Sequence, residues 1–551
     1  MASLAETGRV FRAVMRRSAL RRVLLAYFFF NAAEWATWVA MLVYAFKRGG
    51  TTAAGAVALI QLIPAMFVAP LGSVMGDELP RDRALGLGYL AQVIAMGATA
   101  IARYAHAPVG IIYLLAAASA SSVTLTRPVH HAILPELAET PQELTASNSA
   151  SGTLEGLSLF VGPVVSGLLL ARTGAWAVFA VSAGTQVLAF LLTIHLPDRR
   201  VVKTAGAKVS VLADAREGIR ALRREPGALL LVGMVGAQQI VVGMLDVLAV
   251  LLALGVLKMS DAGPGMLTAA AGVGALIGAV ATVVLIGRRR LAPALFLGIL
   301  MTGLPLAVVG IVPRVALALV LLLLCGVGQA FFNVAGRTLL QRTVDDEVLS
   351  RVFGLQEGLM MLGLAIGAVL APILVAVFGS QGAFIVAGIF LPVAGIAAWS
   401  RLRSLDARAV VPGAELSLLR SIALFQPLAQ PVLERLSWNL IPTDAKAGAV
   451  VIAEGDAGDR FYIVMEGQAE VSVGGRHVAT LGAGDYFGEI ALLRDVPRTA
   501  TVTAGSDLHL LALERGEFLA AVTGSTVAVE AADREASRRL TEHPAAEPRD
   551  P

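Results

Sequence analysis

Near its C-terminal end the chain reads Phe487-Gly488-Glu489-Ile490-Ala491-Leu492-Leu493-Arg494-Asp495-Val496-Pro497-Arg498-Thr499-Ala500-Thr501. The run sets a glycine, an acid and an arginine around a short apolar segment. A helix over 488–493 would aim its free backbone N–H groups at an anion. Arg498 can add charge-assisted hydrogen bonds to phosphate oxygens. Glu489 can accept from a sugar hydroxyl. Everything before residue 403 has a different character.

The 551 residues are 56% hydrophobic and only 15% charged, and the mean hydropathy is +0.74. Soluble domains usually carry about 25% charged residues, so most of this chain expects lipid. The net charge of +4 is small for the length. No basic patch interleaved with aromatics is present, so nucleic acid is not expected as a partner. The lone cysteine, Cys325, lies in an apolar run and excludes an intramolecular disulfide or a Cys-based metal site. His130-His131 is the only histidine pair, and adjacent residues do not share a helix face. No metal is expected.

A spanning helix needs about 20 mostly apolar residues. Twelve segments qualify: 23–46, 53–76, 84–104, 108–128, 146–171, 175–196, 228–257, 262–286, 291–312, 314–336, 352–378 and 382–400. The first follows a basic start without an Ala-x-Ala cleavage pattern, so it reads as an uncleaved membrane helix. The longer, more charged break at 197–227 divides the set into six and six. Within it, 209–224 has a basic, weakly amphipathic pattern of the kind found on interfacial helices. With the N-terminus inside, only Lys47, Arg48, Arg103, Arg172, Lys258 and Arg314 fall on outward loops; the other basic residues up to Arg408 lie inward. The positive-inside rule then places both termini in the cytoplasm of a multi-pass cell-membrane protein.

From about 403 the pattern changes. Leu416, Leu419, Ile422 and Phe425, then Leu428, Val432, Leu433 and Leu436, predict two short amphipathic helices. Over 449–514 the period falls to about two, with Gly-Asp and Gly-Gly turns, which predicts an antiparallel barrel or sandwich. The strands are read at 450–452, 462–464, 469–473, 477–481 and 508–513. Residues 515–540 return to a helical pattern, and 541–551 read as a disordered tail.

The opening motif and its surroundings resemble cyclic nucleotide-binding domains over about 417–540. Glu454-Gly455-Asp456-x-Gly458-Asp459-x-Phe461-Tyr462 matches the family's first strands. Leu481-Gly482-x-Gly484-Asp485-Tyr486-Phe487-Gly488-Glu489 matches the approach to its phosphate cassette. The resemblance assigns phosphate contacts to Arg498, Thr499 and the Gly488, Ile490 and Ala491 amides, and the ribose hydroxyl to Glu489. A degenerate domain that binds nothing usually loses the arginine or the glutamate; both are here. Thr499 occurs in binders of either cAMP or cGMP, and cAMP is the expected ligand. The helix over 525–540 would be the lid over the base.

Residues 10–405 resemble the major facilitator superfamily. Pro70-Leu71-Gly72-Ser73-Val74-Met75-Gly76-Asp77-Glu78-Leu79-Pro80-Arg81-Asp82-Arg83 keeps the family's loop aspartate and two arginines. The resemblance makes Asp77, Arg81 and Arg83 a conformational latch, weakened by Ser73, Glu78 and Pro80, where the family has other residues. Gly162-Pro163-x-x-x-Gly167 resembles a motif of its exporters. The family places helices five, eight and eleven between the halves, where Gly152/Gly156, Gly274/Gly278 and Gly363/Gly367 would allow close packing.

Acids inside a membrane are costly and usually face a cavity or a partner. Glu34 lies mid-helix one, Asp246 in helix seven and Glu155 in helix five. Glu34 is the first candidate for proton coupling or for a cationic substrate, then Asp246. Glu155 reads equally as structural. Arg337 in helix ten either pairs with a cavity acid or ends its helix on the inside.

The expected fold is a polytopic α-helical membrane protein with 12 transmembrane helices in two six-helix halves, plus a C-terminal α+β domain with an antiparallel β-barrel. Its divisions are 1–22, 23–196, 197–227, 228–402, 403–416, 417–540 and 541–551. No Walker loop is present, so an ATP-driven pump is not expected, nor is any enzyme. The sequence points to proton-coupled efflux of a small molecule, regulated by cytoplasmic cyclic nucleotide. The alternative is a membrane-anchored nucleotide receptor whose transporter half is inert.

Overall fold

The computed structural model describes residues 17–523 except 79, 139–140, 195, 197–219, 221, 223–224, 286–289, 345, 409–412, 427 and 429; beyond them it describes residue 534. The 209–224 segment is largely outside the described residues, and the 525–540 lid is so apart from residue 534; the 541–551 tail is wholly outside. The chain forms two compact units, Met1–Ala409 and Val410–Pro551.

Ten helices among the described residues are long and apolar enough to cross a membrane. Two of them are double-length. Ser18–Glu78 is interrupted at Gly49 and Gly50, where φ/ψ of 61°/−151° at Gly50 is open only to a residue without a Cβ. Asp346–Arg408 breaks at Gly379 in the same way, with φ/ψ of 70°/174°. Each break divides one long helix into two, which gives twelve helical segments among the described residues. They are α1 (18–48), α2 (51–78), α3 (Arg81–Tyr104), α4 (Val109–Leu137), α5 (Pro141–Arg172), α6 (Ala175–Thr193) and α7 (Pro226–Val250, extended by a π-helical turn, Leu251–Val256). The rest are α8 (Gly263–Ala281), α9 (Ala292–Ile311), α10 (Val315–Gln341), α11 (346–378) and α12 (380–408).

Large apolar side chains such as Ile94, Leu114, Val280 and Ile396 are exposed on these helices. Lipid, not water, is the solvent that tolerates them. One buried acid serves the scaffold. The Asp406 carboxylate, at the end of α12, accepts from the Leu291 and Ala292 amides at 2.9 and 3.1 Å. It thereby caps the start of α9, whose first N–H groups have no intrahelical acceptor.

The second unit begins with α13 (Gly413–Ser421) and α14 (Gln430–Trp438). Eight strands follow: β1 (Ile441–Ala445), β2 (Val450–Ile452), β3 (Arg460–Glu466), β4 (Ala469–Val473), β5 (Arg476–Leu481), β6 (Tyr486–Phe487), β7 (Thr501–Ala504) and β8 (Leu508–Glu514). Between β6 and β7 lies α15 (Glu489–Arg494), and after β8 comes α16 (Arg515–Thr523). The strands form two four-stranded antiparallel sheets, ordered β1-β8-β3-β6 and β2-β7-β4-β5. The two sheets face each other, and no closed barrel forms among the described residues.

Strand alternation divides the core in two. Tyr462, Val464, Leu508, Leu510 and Ala512 meet Ala469, Val502 and Ala504 of the other sheet. Phe461, Ile463, Leu511 and Leu513 point the other way, onto Leu419, Phe425, Leu436 and Phe518 of the helical layer. Both faces of β3 and β8 are therefore covered. Each fully buried Phe or Leu contributes about 1.5–3 kcal/mol. Strand β1 escapes sequence reading because Pro442 looks like a breaker. It lies at the sheet edge, where the missing N–H costs nothing.

Candidate functional site

In the membrane unit three helices converge on one cation. Arg127 of α4 donates through Nη2 to Glu34 Oε2 of α1 at 2.6 Å. Its Nη1 lies 4.0 Å from Glu155 Oε1 of α5. Asn31, one turn before Glu34, offers Oδ1 at 3.4 Å. Against this cluster lies a buried aromatic pair: Tyr27 stacks on His130 at 3.7 Å between centroids, and His130 Nε2 meets Ser151 Oγ at 3.2 Å. An isolated charge at this depth costs about 3 kcal/mol. Pairing removes most of that cost, and it explains why the acids are tolerated. Glu155 stays the most open member, with 43% of its side chain accessible.

Asp246 is not in this cluster. Its Oδ2 accepts from Trp38 Nε1 at 3.2 Å. Trp38 follows Glu34 by one helical turn, so α1 carries both on one face. Asp246 thus ties α7 of the second half to α1 of the first. Farther along, Lys47 pairs with Asp261 at 2.5 Å, again across the halves. Close backbone packing continues the seam. A Cβ on Gly265 of α8 would lie 2.9 Å from the Gly167 Cα of α5. One on Gly55 of α2 would lie 2.5 Å from the Ala368 carbonyl of α11. These contacts all lie toward the ends of the helices remote from the start of α1. On the near side Gly152 of α5 and Gly354 and Gly358 of α11 have open space beside them.

In the second unit α15 opens at Gly488, whose φ is 90°. A side chain there would also collide with Arg498, since a Cβ would fall 2.6 Å from its Nη1. Arg498 is 3% exposed and held by three acceptors. Nη1 donates to the Gly488 carbonyl at 3.0 Å. Nη2 donates to the Arg460 carbonyl at 2.7 Å and to Asp459 Oδ1 at 2.9 Å. The Arg498 amide donates to the Asp456 carbonyl at 2.7 Å, and its carbonyl accepts from Gly455 at 2.8 Å. Glu489 is likewise buried, at 1% exposure. Ile490 and Thr499 are half-buried and Ala491 is buried. Of Arg498's three acceptors only Asp459 is a mobile side chain, and it is 68% exposed. An incoming phosphate can replace it without dismantling the loop.

A family model described as Major Facilitator Superfamily matches residues 23–312 and 257–447. The chain belongs to the major facilitator superfamily. A second model, for the cyclic nucleotide-binding domain, matches residues 442–524, so this transporter-family chain ends in such a domain. Several curated proteins are similar to this chain over a short stretch. A cAMP-dependent protein kinase regulatory subunit of Yarrowia lipolytica is 43% identical over 18% of this chain and 27% of its own length. A cGMP-dependent protein kinase of Toxoplasma gondii is 44% identical over 16% of this chain and 9% of its own. A cyclic nucleotide-gated potassium channel of Rhizobium etli is 38% identical over 18% of this chain and 28% of its own. The chain thus spans less than a third of the length of each.

The other expected residues of this superfamily member fall in several places. Arg337 is exposed and lies over the Phe353 ring at 5.1 Å, and no ion pair to a cavity acid is found for it among the described residues. It is one turn from the end of α10, where a long basic side chain snorkels outward. Arg81, the first residue of α3, pairs with Glu136 at the end of α4, at 3.0 Å, and also donates to the Ala132 carbonyl. Arg83 is exposed, and the Asp77 side chain lies outside the described residues. Two glycine pairs close helices within the second half instead of between halves. Gly278 faces Val327 and Ala330 of α10, and Gly363 and Gly367 face α7. Gly156 does cross the halves, onto Leu276.

Arg127, Asp459, Glu136 and Asp261 escaped sequence reading. Arg127 is the last residue but one of the apolar segment 108–128 and looks like a flanking charge. Asp459 stands in a glycine-marked stretch whose spacing says turn, not ligand.

Proposed function

We propose that this protein is a proton-coupled exporter of a small molecule, in the cell membrane with both termini cytoplasmic, and that cyclic nucleotide modulates its transport. It is read as a transporter and not an enzyme. The observation that carries the reading is the Arg498 socket: a buried arginine with one exchangeable partner, attached to a major facilitator transporter. The Glu34–Arg127–Glu155 cluster supports proton coupling, because a proton on Glu34 frees Arg127 to move toward Glu155. The exporter-like Gly162-Pro163-x-x-x-Gly167 supports outward transport. The cAMP-dependent relative supports cAMP over cGMP, while the cGMP-dependent kinase keeps the second nucleotide in the test.

Allosteric couplings are typically about 1–3 kcal/mol. That shifts a near-balanced inward/outward equilibrium but does not drive transport, so the nucleotide is a modulator. The test is calorimetry of the full chain with cAMP and cGMP, followed by transport in proteoliposomes under a pH gradient with and without the bound nucleotide. Binding with an altered, gradient-dependent flux supports the reading. Binding with no flux of any tested substrate class, in wild type and Glu34→Gln alike, would favour an anchored receptor instead.

A further inference from the structure

The residue after β8, Arg515, bonds to the loop that holds Arg498 and to the end of the cassette helix. Its amide donates to the Asp459 carbonyl at 2.8 Å. Its Nη1 donates to the Gly458 carbonyl at 3.1 Å. Its Nη2 pairs with the carboxylate of Asp495. Asp459 is the residue whose side chain holds Arg498. Asp495 ends the cassette helix α15 in a left-handed conformation, with φ 53°. The 455–459 loop itself lies flush on α15, since a Cβ on Gly458 would be 3.0 Å from the Ala491 Cβ.

Arg515 is also the first residue of α16. Three residues on, Phe518 stacks on Phe461 at 4.8 Å and meets Phe425 edge-on at 6.2 Å. Phe425 lies in the turn between α13 and α14, the segment that follows the membrane unit in sequence. One arginine therefore joins the loop behind the phosphate site, the end of the cassette helix and the start of a helix packed on the α13–α14 turn.

We propose that Arg515 is a positioning residue that reads whether the Arg498 socket is occupied and passes the change to α16 and the Phe425 turn. Phosphate draws Arg498 away from Asp459. The 458–459 loop and the end of α15 then rearrange, and both are tied to Arg515. The inference rests on the socket taking a cyclic nucleotide, as proposed above. Arg515 touches no ligand atom in this scheme, so it sets the response rather than the affinity.

The test uses the full chain in detergent, with cAMP affinity by calorimetry and hydrogen exchange followed over 515–523 and 422–428. In wild type, saturating cAMP changes exchange in both segments. Arg515→Ala keeps affinity within about fivefold, since the Asp495 pair is solvent-exposed, but the exchange change in both segments falls by about half or more. Arg515→Lys, which keeps the charge but loses the fork, gives an intermediate response and serves also if the alanine variant does not fold. A full wild-type response in Arg515→Ala and Arg515→Lys would overturn the proposal while leaving the nucleotide site standing. Loss of affinity in Arg515→Ala as complete as in Arg498→Ala would also overturn it, by making Arg515 part of the binding site. Wild-type protein that binds neither cAMP nor cGMP would overturn the functional reading and this one with it.

Discussion

Arg127 and Arg498 are both arginines held by carboxylates, and the way each is held sets it apart. Arg498 has 1% of its side chain accessible and sits among acceptors that are mostly backbone. Arg127 has 33% accessible and stands between two glutamates on different helices, 2.6 and 4.0 Å away. The first is a preorganised socket with one loose partner, which suits capture of a fixed anion because little ordering remains to be done on binding. The second is a pivot with two alternative partners, which suits a site that must change state during a cycle. Loop carbonyls cannot swap places; carboxylates on separate helices can.

The largest effect is expected at the socket. Arg498→Ala removes several charge-assisted hydrogen bonds, each worth about 1.5–3 kcal/mol, so cAMP affinity measured by calorimetry should fall by about 100-fold or more. A weaker effect would mean that the phosphate is held elsewhere.

At the pivot the two partners should differ. Arg127→Ala leaves two uncompensated acids and should lower stability by about 2 kcal/mol, less than a fully buried pair because the site is partly open. Glu34→Gln keeps Arg127 beside Glu155 and should fold normally, yet lose gradient-driven flux. Thermal melting alongside proteoliposome transport separates them. Equal melting losses in both variants would make the cluster structural.

A smaller effect is expected at the seam between halves. Lys47→Asp breaks one exposed ion pair, and Asp261→Lys does the same. Either should shift the inward/outward population by about fivefold at most. The double exchange should restore it, as read by accessibility of a cysteine introduced at Gly354. Failure of the double exchange to restore would remove the pair from the gate.

The smallest effect belongs to Lys446 and Asp507, at 2.9 Å on the surface of the second unit. Lys446 donates to Asp507 and holds its carboxyl below the ordinary aspartate range. Its contribution is therefore present above that range and lost as pH falls through the lowered value. Asp507→Asn should lower the melting temperature slightly at neutral pH, and the difference from wild type should close in acid.

The socket was largely legible because its parts are contiguous. Gly488, Glu489 and Arg498 lie within one short run, and the chemistry of each residue type names its role. Asp459 was not legible as the partner of Arg498, because the two meet only after β3 and the cassette fold together. The pivot was half legible. Glu34 stands out as an acid in an apolar helix, but nothing local says that Arg127, on the fourth helix, reaches it. Asp246, the second candidate, went elsewhere, to Trp38. An unpaired intramembrane acid in the sequence tells that a partner exists, not which one.

Apolar segment length, glycine-marked turns and charge placement announced by themselves a chain of many membrane-spanning helices followed by a strand-built domain; the break expected at 403 falls later, since α12 continues to Arg408 and two short helices precede the first strand at Ile441. Those properties depend on burial and on backbone freedom, which act residue by residue or over one short window. Only the tertiary structure decided which acid pairs with which base, which glycines pack within a half and which across, and where Arg515 ties the socket to α16. Those outcomes depend on distances between segments far apart in the chain, and a Coulomb or hydrogen-bond interaction is silent until folding brings its two ends together.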